Sequence, residues 1–267
     1  MKNRTVGLVT GAVLTVLGVS MFLLNYWEFI SQYELIVQVL RCFGFLLAFI
    51  FPCLLVLLPI RFLTKVPPFV FRKLLHIAAF TGVSLMILWA ESWLAAALTS
   101  GLLALILYPI LHLAEKQPWF DRLFVQKSPG EIKRSMLLLF IMFTAVIAVA
   151  WGVFHQAELA AASILMWGVG DAAAALVGIP FGKHKVRCCF TDGKKSWEGS
   201  FAMLLSSFAV GVLVLTLTQK TGWPRALLSA GIGALVGTVT ELFSPSEYDT
   251  ITVPVVILAV LLALEMI

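Results

Sequence analysis

Charge is scarce in this chain. Asp, Glu, Lys and Arg make up only 12% of its 267 residues, about half the share of a soluble domain. No polar stretch is long enough to fold apart from the rest, so one compact membrane domain is expected. Cysteine is also rare, with four residues. Cys42 and Cys53 fall in an apolar run, Cys188 and Cys189 are adjacent, and no Cys-x-x-Cys or Cys/His spacing occurs. That pattern argues against a zinc centre or a disulfide framework. Three further absences narrow the field. No segment alternates with period two, as the strands of a membrane β-barrel would. No internal repeat appears of the kind that marks many transporters. The soluble-type phosphate loop G-x-x-x-x-G-K-[ST] is missing as well.

What the chain does have is apolar length. Hydrophobic residues reach 61% and mean hydropathy is +1.00, values that belong in a bilayer. Apolar runs near 6–25, 35–60, 74–90, 93–113, 135–154, 158–179, 198–218, 225–242 and 251–266 are each long enough to cross one. The first lacks a small-residue cleavage site and reads as a retained span. The expectation is an all-α, polytopic bundle of about nine transmembrane helices, forming one membrane-embedded domain over residues 1–267.

The loops then orient it. With the N-terminus cytoplasmic, one side carries Lys2, Arg4, Arg61, Lys65, Arg72, Lys73, Lys116, Arg122, Lys127, Lys133, Arg134, Lys183, Lys185, Arg187, Lys194 and Lys195. The other side carries only Lys220 and Arg225, and Arg41 lies inside the second run. This asymmetry follows the positive-inside rule. The net charge of +5 is therefore topological, and no nucleic-acid partner is needed to explain it. The polar loops at 61–73, 114–134, 180–197 and 243–250 share the cytoplasmic side, where a soluble nucleotide would be met.

Within the sixth run stands Gly170-Asp171. A carboxylate in a span costs roughly 2.5 kcal/mol or more, so it calls for a partner or a role, and the basic residues a few positions downstream are the expected partner. Asp171, Ala174, Gly178 and Gly182 share one helical face. Close helix packing explains the small residues of that stripe but not the aspartate, which points to a divalent cation or a bulky ligand. Asp171 lies about 12 Å below the cytoplasmic end. A phosphate reaches that depth through a polar cavity, or through a break in the helix near Gly170. Beyond the stripe, Gly182, Lys183, Lys185, Arg187, Gly193, Lys194 and Lys195 offer cations and backbone N–H groups to phosphate. Ser196 is placed to cap the next helix, whose N-terminus would add partial positive charge, and Glu198 falls in its first turn. His112 and His155 sit near span ends and read as interfacial, while Glu241 is a candidate supporting carboxylate near Asp249.

Asp171-x-x-Ala174-x-x-x-Gly178-x-x-x-Gly182, followed by Lys194-Lys195-Ser196-x-Glu198-Gly199-Ser200, resembles the dolichol kinase, phytol kinase and CTP-dependent diacylglycerol kinase family, itself similar to the phosphatidate cytidylyltransferases. Arg72-Lys73-x-x-His76, Gly130-Glu131-Ile132-Lys133-Arg134 and Asp249-Thr250-Ile251-Thr252-Val253-Pro254 resemble further elements of that family in the same order, over about residues 70–255. Ser196 and Thr250 stand where the family commonly has threonine and asparagine. The cytidylyltransferase signature itself is absent.

The resemblance implies a membrane lipid-alcohol kinase that moves the γ-phosphate of a nucleoside triphosphate, CTP first, to an isoprenoid alcohol or diacylglycerol. Asp171, Glu198 and Asp249 would be catalytic. Mg²⁺ would sit on Asp171, with Glu198 or Asp249. Gly178, Gly182, Lys183, Lys194, Lys195, Ser196 and Gly199, with Arg72, Lys73 and His76, would form the phosphate site. Two rival readings are a CDP-lipid synthase and an ion-coupled transporter using Asp171. The oligomeric state stays open.

Overall fold

The computed structural model describes residues 33–64, 66–118, 120, 130–186, 193, 195–218, 222–245 and 248–266. Among them the chain forms eight helices: α1 Glu34–Leu63, α2 Pro68–Trp89, α3 Trp93–Ala114, α4 Glu131–Ile147, α5 Ala157–Phe181, α6 Trp197–Thr218, α7 Trp223–Phe243 and α8 Asp249–Glu265. A π-helical turn, Ala148–Val153, extends α4. The only strand-like pairing among these residues is a bridge between Lys185 and Ser196. With almost no polar side chains to satisfy backbone groups in lipid, helices are the available solution.

Seven of the helices, α1 to α7, are 21 to 30 residues long and apolar enough to cross a membrane, counting α4 with its π-turn. They are the helices of an integral membrane protein. The eighth, α8, has 17 residues, about 26 Å at the helical rise. Eight of the nine runs read from the sequence fall on these helices, while the first, at 6–25, lies outside the described residues. Helix starts are where hydropathy misleads. The run expected at 74–90 begins at Pro68, so Arg72 and Lys73, expected in the 61–73 loop, lie inside the helix with His76. Pro67-Pro68 starts the turn, Pro being suited to the first helical positions, and the charged residues are tolerated because the bundle gives them partners.

At the centre stands α5. It packs most extensively against α6 and also against α2 and α8. Its buried face is built from small residues, Ala160, Ala161, Ala162, Ser163, Gly168, Gly170 and Ala172 among them. Without a hydrophobic drive between helices in lipid, such residues gain stability by letting backbones approach. Hydroxyls fasten the contacts: Ser84 Oγ of α2 donates to the Ala161 carbonyl at 3.2 Å, and Ser207 Oγ of α6 to the Met166 carbonyl at 2.7 Å. By contrast α1 is largely exposed along its length.

Candidate functional site

Asp171 sits on an unbroken α5. The break considered near Gly170 is absent: Gly168 and Gly170 are helical, and each lets a neighbour close in. A Cβ at Gly168 would stand 2.2 Å from the Phe80 ring of α2, and one at Gly170 would stand 2.2 Å from Ser207 Oγ of α6. The route through a broken helix is therefore closed, because the glycines serve packing.

The aspartate's neighbours come from α2 and not from the basic loop downstream of it. Lys73 Nζ lies 2.5 Å from Asp171 Oδ2, and His76 Nε2 lies 3.4 Å from the same oxygen. The Lys73 and Asp171 side chains are only 15% and 21% exposed. Removing one partner from so buried a pair leaves an uncompensated charge, a loss of about 3–5 kcal/mol. Only Lys73 hydrogen-bonds to Oδ2; His76 Nε2 is buried near it without a hydrogen-bond partner among the described residues. Phe80 and Trp167 hold the imidazole, with ring centroids 4.2 and 5.7 Å away. Arg72, the residue just before Lys73, reaches Glu131 at the start of α4, at 3.5 Å. Gly130 precedes that helix with φ +76°, a left-handed conformation that glycine adopts without a Cβ penalty.

The stripe of small residues on α5 turns out to be filled. Gly178 and Gly182 face Ser196, and Gly199 of α6 packs against Gly178 and the Ala174 carbonyl. The stripe is thus the α5–α6 contact and is not an open approach for a ligand. Ser196 caps α6 as expected, its Oγ accepting from Gly199 N at 3.3 Å. Glu198 turns back toward the loop. It accepts from the backbone N–H groups of Lys183 and His184 at 3.2 Å and meets the His184 ring at 2.7 Å. Glu198 and Asp171 share no partner among the described residues. His184 was not signalled by spacing, although it adjoins Lys183. The side chains of Lys183 and Lys185 are exposed, and Lys194 lies outside the described residues.

The third part of the site joins α6 to α7 and α8. Lys195 Nζ pairs with Glu241 Oε1 at 3.0 Å and also donates to the carbonyls of Glu241 and Ser244. Asp249 opens α8, half-buried and without an ion pair among the described residues. Its carboxylate is within electrostatic reach of Asp171, Glu241, Lys73 and Lys195. Segments 98 residues apart in the case of Lys73 and Asp171 thus meet at one end of the bundle. A separate cluster at that end links α3 to α4: Lys133 pairs with Glu115 at 2.7 Å and lies 3.1 Å from His112 Nδ1. His112, read as merely interfacial, has a specific partner there.

Among the described residues no three His, Cys, Asp or Glu side chains converge on one point as a ready cation cage. The carboxylates of Asp171 and Asp249 nevertheless supply hard oxygen donors in one neighbourhood. That open set fits magnesium, which binds through one or two carboxylates together with substrate phosphates.

No family model matches the chain, and no solved structure matches it. Several curated proteins do. The "Phytol kinase" of Synechocystis sp. is 40% identical over 96 residues, covering 36% of this chain and 40% of that protein. The "Probable phytol kinase, chloroplastic" of Triticum aestivum is 31% identical over 131 residues, 46% of this chain and 42% of that one. The "Probable phytol kinase 1, chloroplastic" of Oryza sativa subsp. japonica is 28% identical over 198 residues, 68% of this chain and 60% of that one. These matches thus span between 40% and 60% of the curated relatives' own length. By sequence the chain is similar to curated phytol kinases over part of its length.

Proposed function

We propose that the chain is a membrane lipid-alcohol kinase. It transfers the γ-phosphate of a nucleoside triphosphate, CTP first, to an isoprenoid alcohol of the phytol type, with diacylglycerol the next acceptor. The observation that carries this reading is the meeting of Lys73, Asp171, Lys195, Glu241 and Asp249 at one end of the bundle, in a chain similar to phytol kinases. Carboxylates and lysines together suit phosphoryl transfer, which depends on charge neutralisation and alignment more than on covalent chemistry.

In this reading the exposed Lys183, with Lys194, takes the phosphates, and Arg72 and Lys73 close the anion site from α2. Asp171 would hold Mg²⁺ arriving on the nucleotide, and the ion would neutralise charge on the phosphates. The lipid hydroxyl enters from the bilayer beside Asp249. Its oxygen bonds to the γ-phosphorus, the bond to the β-phosphate oxygen breaks, and Asp249 takes the proton. A carboxylate free of an ion pair is the better acceptor, whereas Asp171 is already engaged by Lys73. His76 lies beside the Asp171 carboxylate. The full topology proposed has nine spans, a cytoplasmic N-terminus and the site on the cytoplasmic side.

The test incubates membranes carrying the protein with γ-labelled CTP or ATP and a panel of lipid alcohols. Labelled lipid phosphate from phytol or a polyprenol is the expected result, and none from any alcohol defeats the proposal. Label entering the lipid from the cytidine moiety would identify a CDP-lipid synthase instead.

A further inference from the structure

Lys195 invites assignment to the triphosphate, since it lies in a basic loop beside glycine and lysine. Its contacts point elsewhere. A lysine ammonium has three N–H donors and no acceptor. Here three acceptors take them: the Glu241 carboxylate at 3.0 Å, the Glu241 carbonyl, and the Ser244 carbonyl at 3.0 Å. The Lys195 and Glu241 side chains are each only 11% exposed. The two carbonyls belong to the end of α7, where helix carbonyls lack intrahelical partners and the dipole favours a cation.

This ammonium also connects two pieces of the site. On its own side, the Lys195 carbonyl accepts from Val186 N at 3.0 Å, and Ser196 bridges to Lys185, so Lys195 is tied to both arms of the loop. On the other side, Ser244 continues the connection: its Oγ lies 2.9 Å from Thr252 Oγ1 of α8. The turn between them is closed by Asp249 N and Tyr248 N donating to the Pro245 carbonyl at 3.2 and 2.9 Å. Asp249 N therefore bonds to Pro245, the residue that follows the Ser244 held by Lys195.

We propose that Lys195 is a positioning residue that clamps the loop before α6 to the α7–α8 turn and so fixes Asp249, instead of binding nucleotide phosphate. The proposal rests on the kinase reading for its consequence, since Asp249 matters to turnover only there. Exposed Lys183, whose side chain is not committed in this way, is the contrasting phosphate ligand.

The experiment uses the full chain in detergent with Lys195→Met, Lys195→Arg and Lys183→Met. Nucleotide binding, turnover per nucleotide-binding site, and a distance between α6 and α8 are measured. The distance comes from spin labels at Trp197→Cys and Tyr248→Cys, positions 59% and 60% exposed, with the four native cysteines replaced. For Lys195→Met the expected result is a nucleotide Kd within about threefold of the unsubstituted chain and turnover per site lowered at least about tenfold. The distance distribution should broaden, and Lys195→Arg, which can still reach the carbonyls, should recover part of the turnover. Lys183→Met should instead weaken nucleotide binding by about tenfold and leave the distance unchanged. A tenfold weaker Kd for Lys195→Met with an unchanged distance would make Lys195 a phosphate ligand and overturn the proposal. Fewer sites, each with normal turnover, would reduce it to a folding role and overturn it too. If the unsubstituted chain phosphorylates no alcohol, the kinase reading fails on its own. The clamp is then decided by the distance, with an unchanged distribution counting against it.

Discussion

Single residues carry this site through pairing. Asp171 and Lys73 neutralise each other in a largely buried setting, so each alone is a liability. Asp171→Asn should lower turnover by at least about 100-fold and also lower the thermal midpoint, because Lys73 then stands unpaired. Lys73→Met should destabilise comparably. The double variant should be more stable than the sum of the two losses, since contacting residues are not additive; strict additivity in a detergent melt would show that the pair is not coupled. Gly168→Ala tests the aromatic support of His76. A Cβ there meets the Phe80 ring at 2.2 Å, and overpacking of this kind costs about 1–3 kcal/mol. A shift of several degrees is expected, at about 2–4 °C per kcal/mol for a chain near this size; an unchanged melt would mean Phe80 moves freely. At this scale the sequence exposed Asp171 by its cost in an apolar run. It could not show that Lys73 was its partner, because that contact joins helices far apart in the chain.

At the level of elements, the α5–loop–α6 unit is held by local devices. Ser196 caps α6 and Glu198 fastens the Lys183 and His184 amides. Ser196→Ala should cost about 1 kcal/mol. Glu198→Ala should speed amide exchange at Lys183 and His184 by about tenfold and weaken nucleotide binding with it. Unchanged exchange would remove Glu198 from the loop's support. The cap was legible from Ser196 and its position before an apolar run. The turn of Glu198 toward the loop was not, since a first-turn carboxylate is equally at home serving the helix dipole. Likewise the stripe Ala174, Gly178 and Gly182 announced a close approach, but only packing showed that α6 makes it.

For the whole molecule, the alternation of helix directions puts the starts of α2, α4, α6 and α8 and the ends of α3, α5 and α7 at the site's end of the bundle. Arg41 with Glu91 and Arg225 with Glu265 lie at the other. Single cysteines at Lys185 and at Trp223 should therefore label with a membrane-impermeant reagent from opposite faces, and the proposed topology puts Lys185 on the cytoplasmic one. Labelling from the same face would break the topology. The amino-acid sequence by itself determined that the chain crosses the bilayer as helices, because too few charges exist to do otherwise. It also determined which positions are out of place in lipid, Asp171 foremost. What tertiary structure alone decided is who answers those positions: Lys73 for Asp171, the α7 terminus for Lys195, and the loop amides for Glu198. Hydropathy records the cost of burying a charge, but the compensating partner is a matter of geometry between segments, which only the packed bundle brings together.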